Sequence, residues 1–271
     1  MNLILQYELL VMDLDGTLLD SAFCIPPQNV DAVRSLVSTG VKVVLASGRI
    51  EHSMRRFYNE LGLDTPIISC NGALVRTSEE EILSHQPLPT NLADEVLDYC
   101  IANDIHLNYY HVDVLSCCKD TEWGRRYNLH VREQNVLVRP TEELRGTSPT
   151  KLVIVDHPPI IAKLWEEMQA RYGDNLYITV SEPQYLELMN PKASKAHGLK
   201  VVCEHLGIAP ERTVAIGDSH NDLPMLRSAG LSFAMGNAGE AIQQAADRIA
   251  PRNDEAGVAI AIKDVFCLNF A

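Results

Sequence analysis

Positive charge is scarce in this sequence. Its 271 residues hold 23 Lys and Arg against 36 Asp and Glu, a formal net charge of -13. Nucleic-acid phosphates and anionic lipids repel such a surface, so neither a nucleic acid nor a membrane is expected as a partner. An anionic small molecule would have to be met by a local concentration of positive groups. Cysteine offers no framework either: there are seven, an odd number, and no Cys-x-x-Cys pair. That usage fits reduced thiols in a cytoplasmic protein and argues against a disulfide-built scaffold. Long apolar runs are missing. The segment from Met1 to Met12 comes nearest, but it contains Gln6 and Glu8, lacks Lys and Arg, and is too short for a membrane span or a signal peptide. Neither Gly-x-Gly-x-x-Gly nor Gly-x-x-x-x-Gly-Lys-[Ser/Thr] occurs, so dinucleotide and P-loop readings lack support. There is no internal repeat and no low-complexity tract.

What remains is a globular composition, 46% hydrophobic and 22% charged, long enough for one large or two ordinary domains. The chain opens with strand–helix alternation. An apolar run, Leu9–Met12, reads as a short buried strand. Pro26-Pro27 starts a helix with Val30, Val33, Leu36 and Val37 at helical spacing, closed by Gly40. Val41–Ala46 is a nearly continuous apolar strand, as in a parallel sheet buried on both faces. A helix over about Ile50–Leu61 and a strand at Ile67–Cys70 follow, then the turn signal Asn71-Gly72. After about Leu83 the character changes. Strand-like runs at Ile105–Tyr110, Val112–Cys117, Leu152–Val155, Leu176–Val180 and Tyr185–Met189, with helical stretches at Leu92–Ala102 and Ile160–Tyr172, read as an α+β region with a mostly antiparallel sheet. Pro140–Pro149 reads as a polar, turn-rich connector. From Pro191 the alternation returns: helix Ser194–Leu206, strand Thr213–Ile216, helix Leu223–Ser228, strand Leu231–Met235, helix Glu240–Ala246 and a last helix Gly257–Cys267. The expected fold is α/β: a doubly wound, Rossmann-like parallel-sheet core made of residues 1–82 and 190–271, interrupted by an inserted α+β domain over 83–189.

Chemistry-bearing residues fall at the ends of these elements. Met12-Asp13-Leu14-Asp15-Gly16-Thr17-Leu18 puts two carboxylates two residues apart at the carboxyl end of the first strand, where open α/β sheets place their ligands. Acids so close repel, and a cation or phosphate chemistry would explain the pairing. Ser47-Gly48-Arg49 follows the second strand, Lys195 opens a helix, and Gly217-Asp218-Ser219-His220-Asn221-Asp222 follows Thr213–Ile216. Singly, Ser47-Gly48 is ordinary turn chemistry and Lys195 an ordinary lysine; their joint order carries the reading. Lys192, Lys195, His197 and Lys200 supply local positive charge against the acidic total.

With these motifs in order, Asp-Leu-Asp-Gly-Thr, Ala-Ser-Gly-Arg, Ser-Cys-Asn-Gly-Ala, the lysine of Asn-Pro-Lys-Ala-Ser-Lys and Gly-Asp-Ser-His-Asn-Asp, the chain resembles the haloacid dehalogenase superfamily of phosphohydrolases. It most resembles the Cof-type branch, whose large cap is inserted between the second and third motifs. That resemblance implies a Mg²⁺-dependent phosphomonoesterase of small phosphorylated metabolites, such as sugar phosphates. Asp13 would be the nucleophile, forming an aspartyl-phosphate, and Asp15 the general acid and then base. Asp13, the main-chain carbonyl of Asp15, and Asp218 would hold the metal, with Asp222 behind it or orienting Lys195. Ser47, the Gly48 amide at a helix N-terminus, Lys195 and Asn221 would bind the phosphoryl group. Arg49 is a candidate substrate contact or, equally, an ion-pair partner near the site, and Asn71 is a candidate substrate contact or part of a plain turn. Other outcomes remain open: a phosphosugar mutase resembling phosphomannomutase, a phosphatase of pyridoxal phosphate or flavin mononucleotide, or a non-catalytic regulator of the same fold.

Overall fold

Strand Leu9–Met12 is fully buried, and its side chains divide between two cores. Leu10 and Met12 join Val43, Leu45, Val33, Phe57 and Ile262 on one face; Leu9 and Val11 join Val44, Leu199, Val202 and Met225 on the other. A strand apolar at every position therefore has to lie in the middle of a sheet covered on both sides. In the computed structural model, which describes residues 6–131 and 136–268, it does. The first five residues of the apolar amino-terminal segment lie outside that description. The five-stranded sheet runs in the order Arg248–Ala250, Leu231–Met235, Thr213–Gly217, Leu9–Met12, Lys42–Leu45. Every pair in it is parallel. Helices Pro27–Ser38, Glu51–Leu61 and Gly257–Phe266 supply residues to the first core, and Lys195–Leu206 and Leu223–Ser228 to the second.

The chain folds as two compact units, one within Met1–Ser84 and Ser194–Ala271, the other His85–Ala193. Past Leu45, a parallel bridge from Ala46 to Ile68 leads into Ile67–Ser69, which belongs to a small sheet with Leu74–Arg76 and Ile82–His85. The second unit holds a six-stranded sheet in the order Tyr177–Glu182, Tyr185–Met189, Lys151–Val155, His106–His111, Val114–Cys117, Leu137–Val138. Its pairings are antiparallel except the last, Val114–Cys117 with Leu137–Val138. Helices Thr90–Ala102 and Pro158–Tyr172 bury Val96, Leu97, Ile161 and Leu164 against Leu107, Tyr109, Leu152 and Ile154. Tyr109, Tyr110 and Tyr127 are core side chains, and the Tyr110 hydroxyl donates to the Tyr127 hydroxyl at 2.9 Å.

Several elements differ from the sequence reading. Arg248–Ala250 is an extra edge strand, Leu74–Arg76 and Ile82–His85 are extra strands, and Glu122–Val131 is an extra helix. The turn-rich connector contains one helical turn, Thr141–Leu144, and helix Glu240–Gln243 stops short of Ala246. Among the described residues, no helix is long and apolar enough to cross a membrane.

Candidate active site

The loop after the first strand cannot continue as regular structure. Asp13 and Asp15 are extended, and Gly16 turns left-handed at φ +77°. That turn has a steric reason as well as a conformational one. A Cβ on Gly16 would lie 2.4 Å from Asp218 Oδ2, so only glycine lets the two loops approach. Thr17, fully buried one residue on, donates its hydroxyl to Asp218 Oδ1 at 2.9 Å. Two stretches of sequence 200 residues apart thus meet through a glycine and a threonine.

Lys195 is the first residue of its helix, and Ser194 caps it by accepting the His197 amide at 3.0 Å. The lysine is 0% exposed, and Nζ donates to Asp13 Oδ1 and to Asp222 Oδ1, both at 2.6 Å. The other oxygen of Asp222 accepts the backbone N–H groups of Asp218 and Ser219, each at 3.0 Å. Asp222 therefore shapes the turn that carries Asp218 and aims Lys195 at the same time. Burial would strip the proton from Lys195, but Asp13 and Asp222 outweigh it and hold the ammonium firmly charged. One ammonium cannot neutralise three neighbouring acids. Burial pushes the Asp13 carboxyl well above the usual range; Lys195 pulls it down, and Asp222, Asp218 and Asp15 push it further up. Asp218 is pushed up to about 6, first by burial and then by Asp222, against the Thr17 hydroxyl and Lys195.

The remaining candidates gather around this centre. Arg49 grips Asp15 with two parallel bonds, Nε to Oδ2 at 2.7 Å and Nη2 to Oδ1 at 2.5 Å. Of the two roles open to Arg49, the structure displays the ion pair. Ser47 is buried, and its hydroxyl accepts the Arg49 amide at 3.2 Å. Ser47 and Gly48 precede the helix, which begins at Glu51 with Ile50 as its N-cap. They belong to the loop and not to the helix terminus suggested by the sequence. Asn71 lies in the left-handed region at φ 54° and faces inward. Its Oδ1 accepts Asn221 Nδ2 at 2.8 Å, which spends one of the two N–H groups of Asn221. Gly72 permits this, because a Cβ there would lie 2.0 Å from the Ser194 carbonyl. Two basic residues near Lys195 in sequence have partners of their own: His197 pairs with the Ser84 hydroxyl at 3.0 Å, and Lys200 reaches Glu204 at 3.9 Å on the surface. His205 and His220 are exposed, whereas Cys203 is buried in the core.

A sequence model of the haloacid dehalogenase-like hydrolases matches residues 10–262. The chain belongs to that family. Several relatives that align over nearly the whole chain carry phosphatase names. The phosphatase YwpJ of Bacillus subtilis is 30% identical, the alignment covering 94% of this chain and 99% of that one. The 5-amino-6-(5-phospho-D-ribitylamino)uracil phosphatase YitU of the same organism is also 30% identical, over 96% of this chain and 98% of the relative. The solved structure of a haloacid dehalogenase-like hydrolase from Bacteroides thetaiotaomicron superposes with a TM-score of 0.86 at 29% identity, covering 96% of this chain and all of the other. The expected α/β fold and the family resemblance both hold.

Members of this family generally use Mg²⁺, and the donor set here suits a hard cation. Carboxylate oxygens of Asp13, Asp218 and Asp222 lie within 4.8 Å of one another, with more negative charge than Lys195 offsets. Asp222 is fully buried with its oxygens engaged by an ammonium and two backbone amides, whereas Asp218 is less buried and accepts the hydroxyls of Thr17 and Ser219. Asp13 and Asp218 are thus the carboxylates that could hold the ion, with Asp222 behind them.

Sequence reasoning had singled out neither Thr17 nor Asn237, whose Nδ2 donates to the Gly16 carbonyl at 2.8 Å. The Gly-Asn-Ala turn at the carboxyl end of strand Leu231–Met235 was the available signal for Asn237. One stability prediction arises directly. Gly16→Ala combines a left-handed backbone with a clash against Asp218. Gly40, at φ +92° with nothing within 4 Å of its Cβ position, carries the backbone cost alone. Gly16→Ala is expected to lose clearly more stability than Gly40→Ala, beyond the roughly 1–3 kcal/mol of backbone strain common to both, in paired urea melts. Equal losses would mean that Asp218 yields freely.

Proposed function

We propose that this protein is a Mg²⁺-dependent phosphomonoester hydrolase of small phosphorylated metabolites, with sugar phosphates or similar phosphorylated polyols as substrates. The observation that carries the reading is the placement of Asp13: a buried carboxylate at the carboxyl end of the interior strand Leu9–Met12, held by Lys195 and flanked by Asp218. An Asp13 oxygen attacks phosphorus, and the bond to the substrate oxygen breaks as the aspartyl-phosphate forms. Asp15 gives its proton to the departing alkoxide, then takes one from the water that displaces Asp13 and frees inorganic phosphate. For that to happen Arg49 has to release at least one of the two Asp15 oxygens it grips. Lys195 neutralises the phosphoryl oxygens, while Ser47, the Gly48 amide and Asn221 orient them. When bound, Mg²⁺ supplies charge neutralisation and in-line alignment, held by Asp13, Asp218 and the main-chain carbonyl of Asp15. Met1–Ser84 with Ser194–Ala271 would be the catalytic core and His85–Ala193 the cap that selects the leaving group. A polyol leaving group is supported by the relative named for a phosphoribityl compound.

The test is a phosphate-release panel of sugar phosphates, nucleotides, pyridoxal phosphate and flavin mononucleotide, each with Mg²⁺ and with EDTA. Stoichiometric free phosphate from at least one sugar or polyol phosphate, abolished by EDTA, is the expected result. Release from none of them would sink the proposal. So would transfer of the phosphate back to sugar without release, which marks a mutase.

A further inference from the structure

Three asparagines grip carbonyls of the loop that carries Asp13 and Asp15. Asn29 Nδ2 donates to Leu18 O at 3.2 Å, Asn253 Nδ2 to Leu19 O at 2.9 Å, and Asn237 Nδ2 to Gly16 O at 2.8 Å. The first two are buried and hold the far end of the loop, where Leu18 and Leu19 enter the core. Asn237 holds the near end, between Asp15 and Thr17. Its own place is over-determined. Oδ1 accepts the Asn253 amide at 3.0 Å, Gln243 Nε2 reaches the carbonyls of Met235, Gly236 and Ala238 at 3.0–3.4 Å, and the Gly236 amide donates to Pro251 O at 3.3 Å.

The carbonyl that Asn237 grips belongs to the Gly16–Thr17 peptide. A glycine peptide has a wide conformational well, so its plane has to be held from outside. The same plane sets the direction of the Thr17 side chain, whose hydroxyl donates to Asp218 Oδ1. A chain of contacts thus runs from the Asn237 amide through one peptide plane and one hydroxyl to the Asp218 carboxylate. Nothing in it depends on Asn237 touching a substrate.

We propose that Asn237 is a positioning residue, setting the Asp218 carboxylate through the Gly16–Thr17 peptide. This rests on the phosphatase reading above. Outer-shell partners of this kind typically cost about 10–100-fold in activity or metal affinity when removed. Asn237→Ala is therefore expected to lower kcat for p-nitrophenyl phosphate roughly 30-fold, with KM changed less than about threefold. The midpoint of thermal stabilisation by MgCl₂ alone should move to higher concentration. Thr17→Val should do the same, and the double variant should be no worse than Thr17→Val, because both cut one chain of contacts. Losses that multiply in the double variant, or parental kcat and Mg²⁺ midpoint in Asn237→Ala, would overturn the proposal. A fold-only role would lower the melting temperature and leave the Mg²⁺ midpoint alone, which also overturns it. If the parent releases no phosphate at all, the phosphatase reading fails, and the Mg²⁺ midpoints still decide the role of Asn237.

Discussion

Asp13→Asn is expected to lower kcat for a phosphomonoester by about 10⁴-fold or more while leaving the melting temperature no lower than the parent's. The chemical half of that expectation follows from the loss of the proposed nucleophile. A carboxamide oxygen is a poor nucleophile toward phosphorus and cannot form the acyl-phosphate that divides the displacement into two steps. The structural half follows from the contacts. Asn fills nearly the same volume, and its Oδ1 still accepts Lys195 Nζ, so the buried ammonium keeps this acceptor. Asp222 continues to pair the ammonium. The substitution also removes a carboxyl that burial holds well above its usual range and that Asp222, Asp218 and Asp15 crowd. Steady-state turnover of p-nitrophenyl phosphate and a thermal melt, run with Mg²⁺ present, check both halves. Turnover at the parental rate would show that another group attacks. A lower melting temperature would show that the Asp13–Lys195 ion pair holds the fold together as well as the site.

The parts of this fold legible in the sequence are those buried on both sides. Leu9–Met12 is apolar throughout, and Thr213–Gly217 is apolar after its first residue, because each lies between two layers of helices, and Gly62 and Gly207 mark helix ends by turning left-handed there. Elements with one weak face are not legible. Arg248–Ala250 has three residues, two of them exposed, and exists because Phe233–Met235 offers it an edge to pair with. Helix Glu122–Val131 includes Gly124, which lowers helix propensity but lets His106 approach; a Cβ there would lie 2.5 Å from the His106 ring. Its cause is tertiary, and no periodicity announces it.

The candidate site divides in the same way. Asp13, Asp15, Lys195, Asp218 and Asp222 were readable because charged side chains are conspicuous where they gather at strand ends and at the start of a helix. What holds those side chains was not readable. Thr17 and Asn237 act on one carboxylate oxygen and one backbone carbonyl, and any small polar residue could have filled either position on paper. Arg49 was ambiguous for a related reason: its partner Asp15 is distant enough in sequence that only the folded loops bring the guanidinium and the carboxylate together.

Asp218→Asn should trade activity for stability, and pH should reveal the trade. The Asp218 carboxyl is raised from 3.8 to about 6, by burial first and then by Asp222, so the folded state holds the proton more tightly than the unfolded chain does. Its contribution is therefore fully present below about pH 4 and is lost as pH rises through about 6. At about 1.4 kcal/mol per unit, ionising Asp218 at pH 8 costs at most about 3 kcal/mol, and roughly 1–2 kcal/mol once partial solvent access is allowed for. Asn keeps the acceptor for the Thr17 hydroxyl without the charge. In EDTA at pH 8 the variant is expected to be more stable than the parent by roughly 1–2 kcal/mol in urea, and the gain should vanish near pH 4. MgCl₂ should reverse the order, stabilising the parent by mass action and the variant hardly at all, while phosphate release by the variant falls about 10³-fold. A pH-independent difference would mean that Asp218 titrates normally in the folded protein. Equal Mg²⁺ stabilisation of both proteins would place the cation elsewhere. If both expectations hold, the folded protein keeps a charge that destabilises it at this turn because the cation it serves requires that charge.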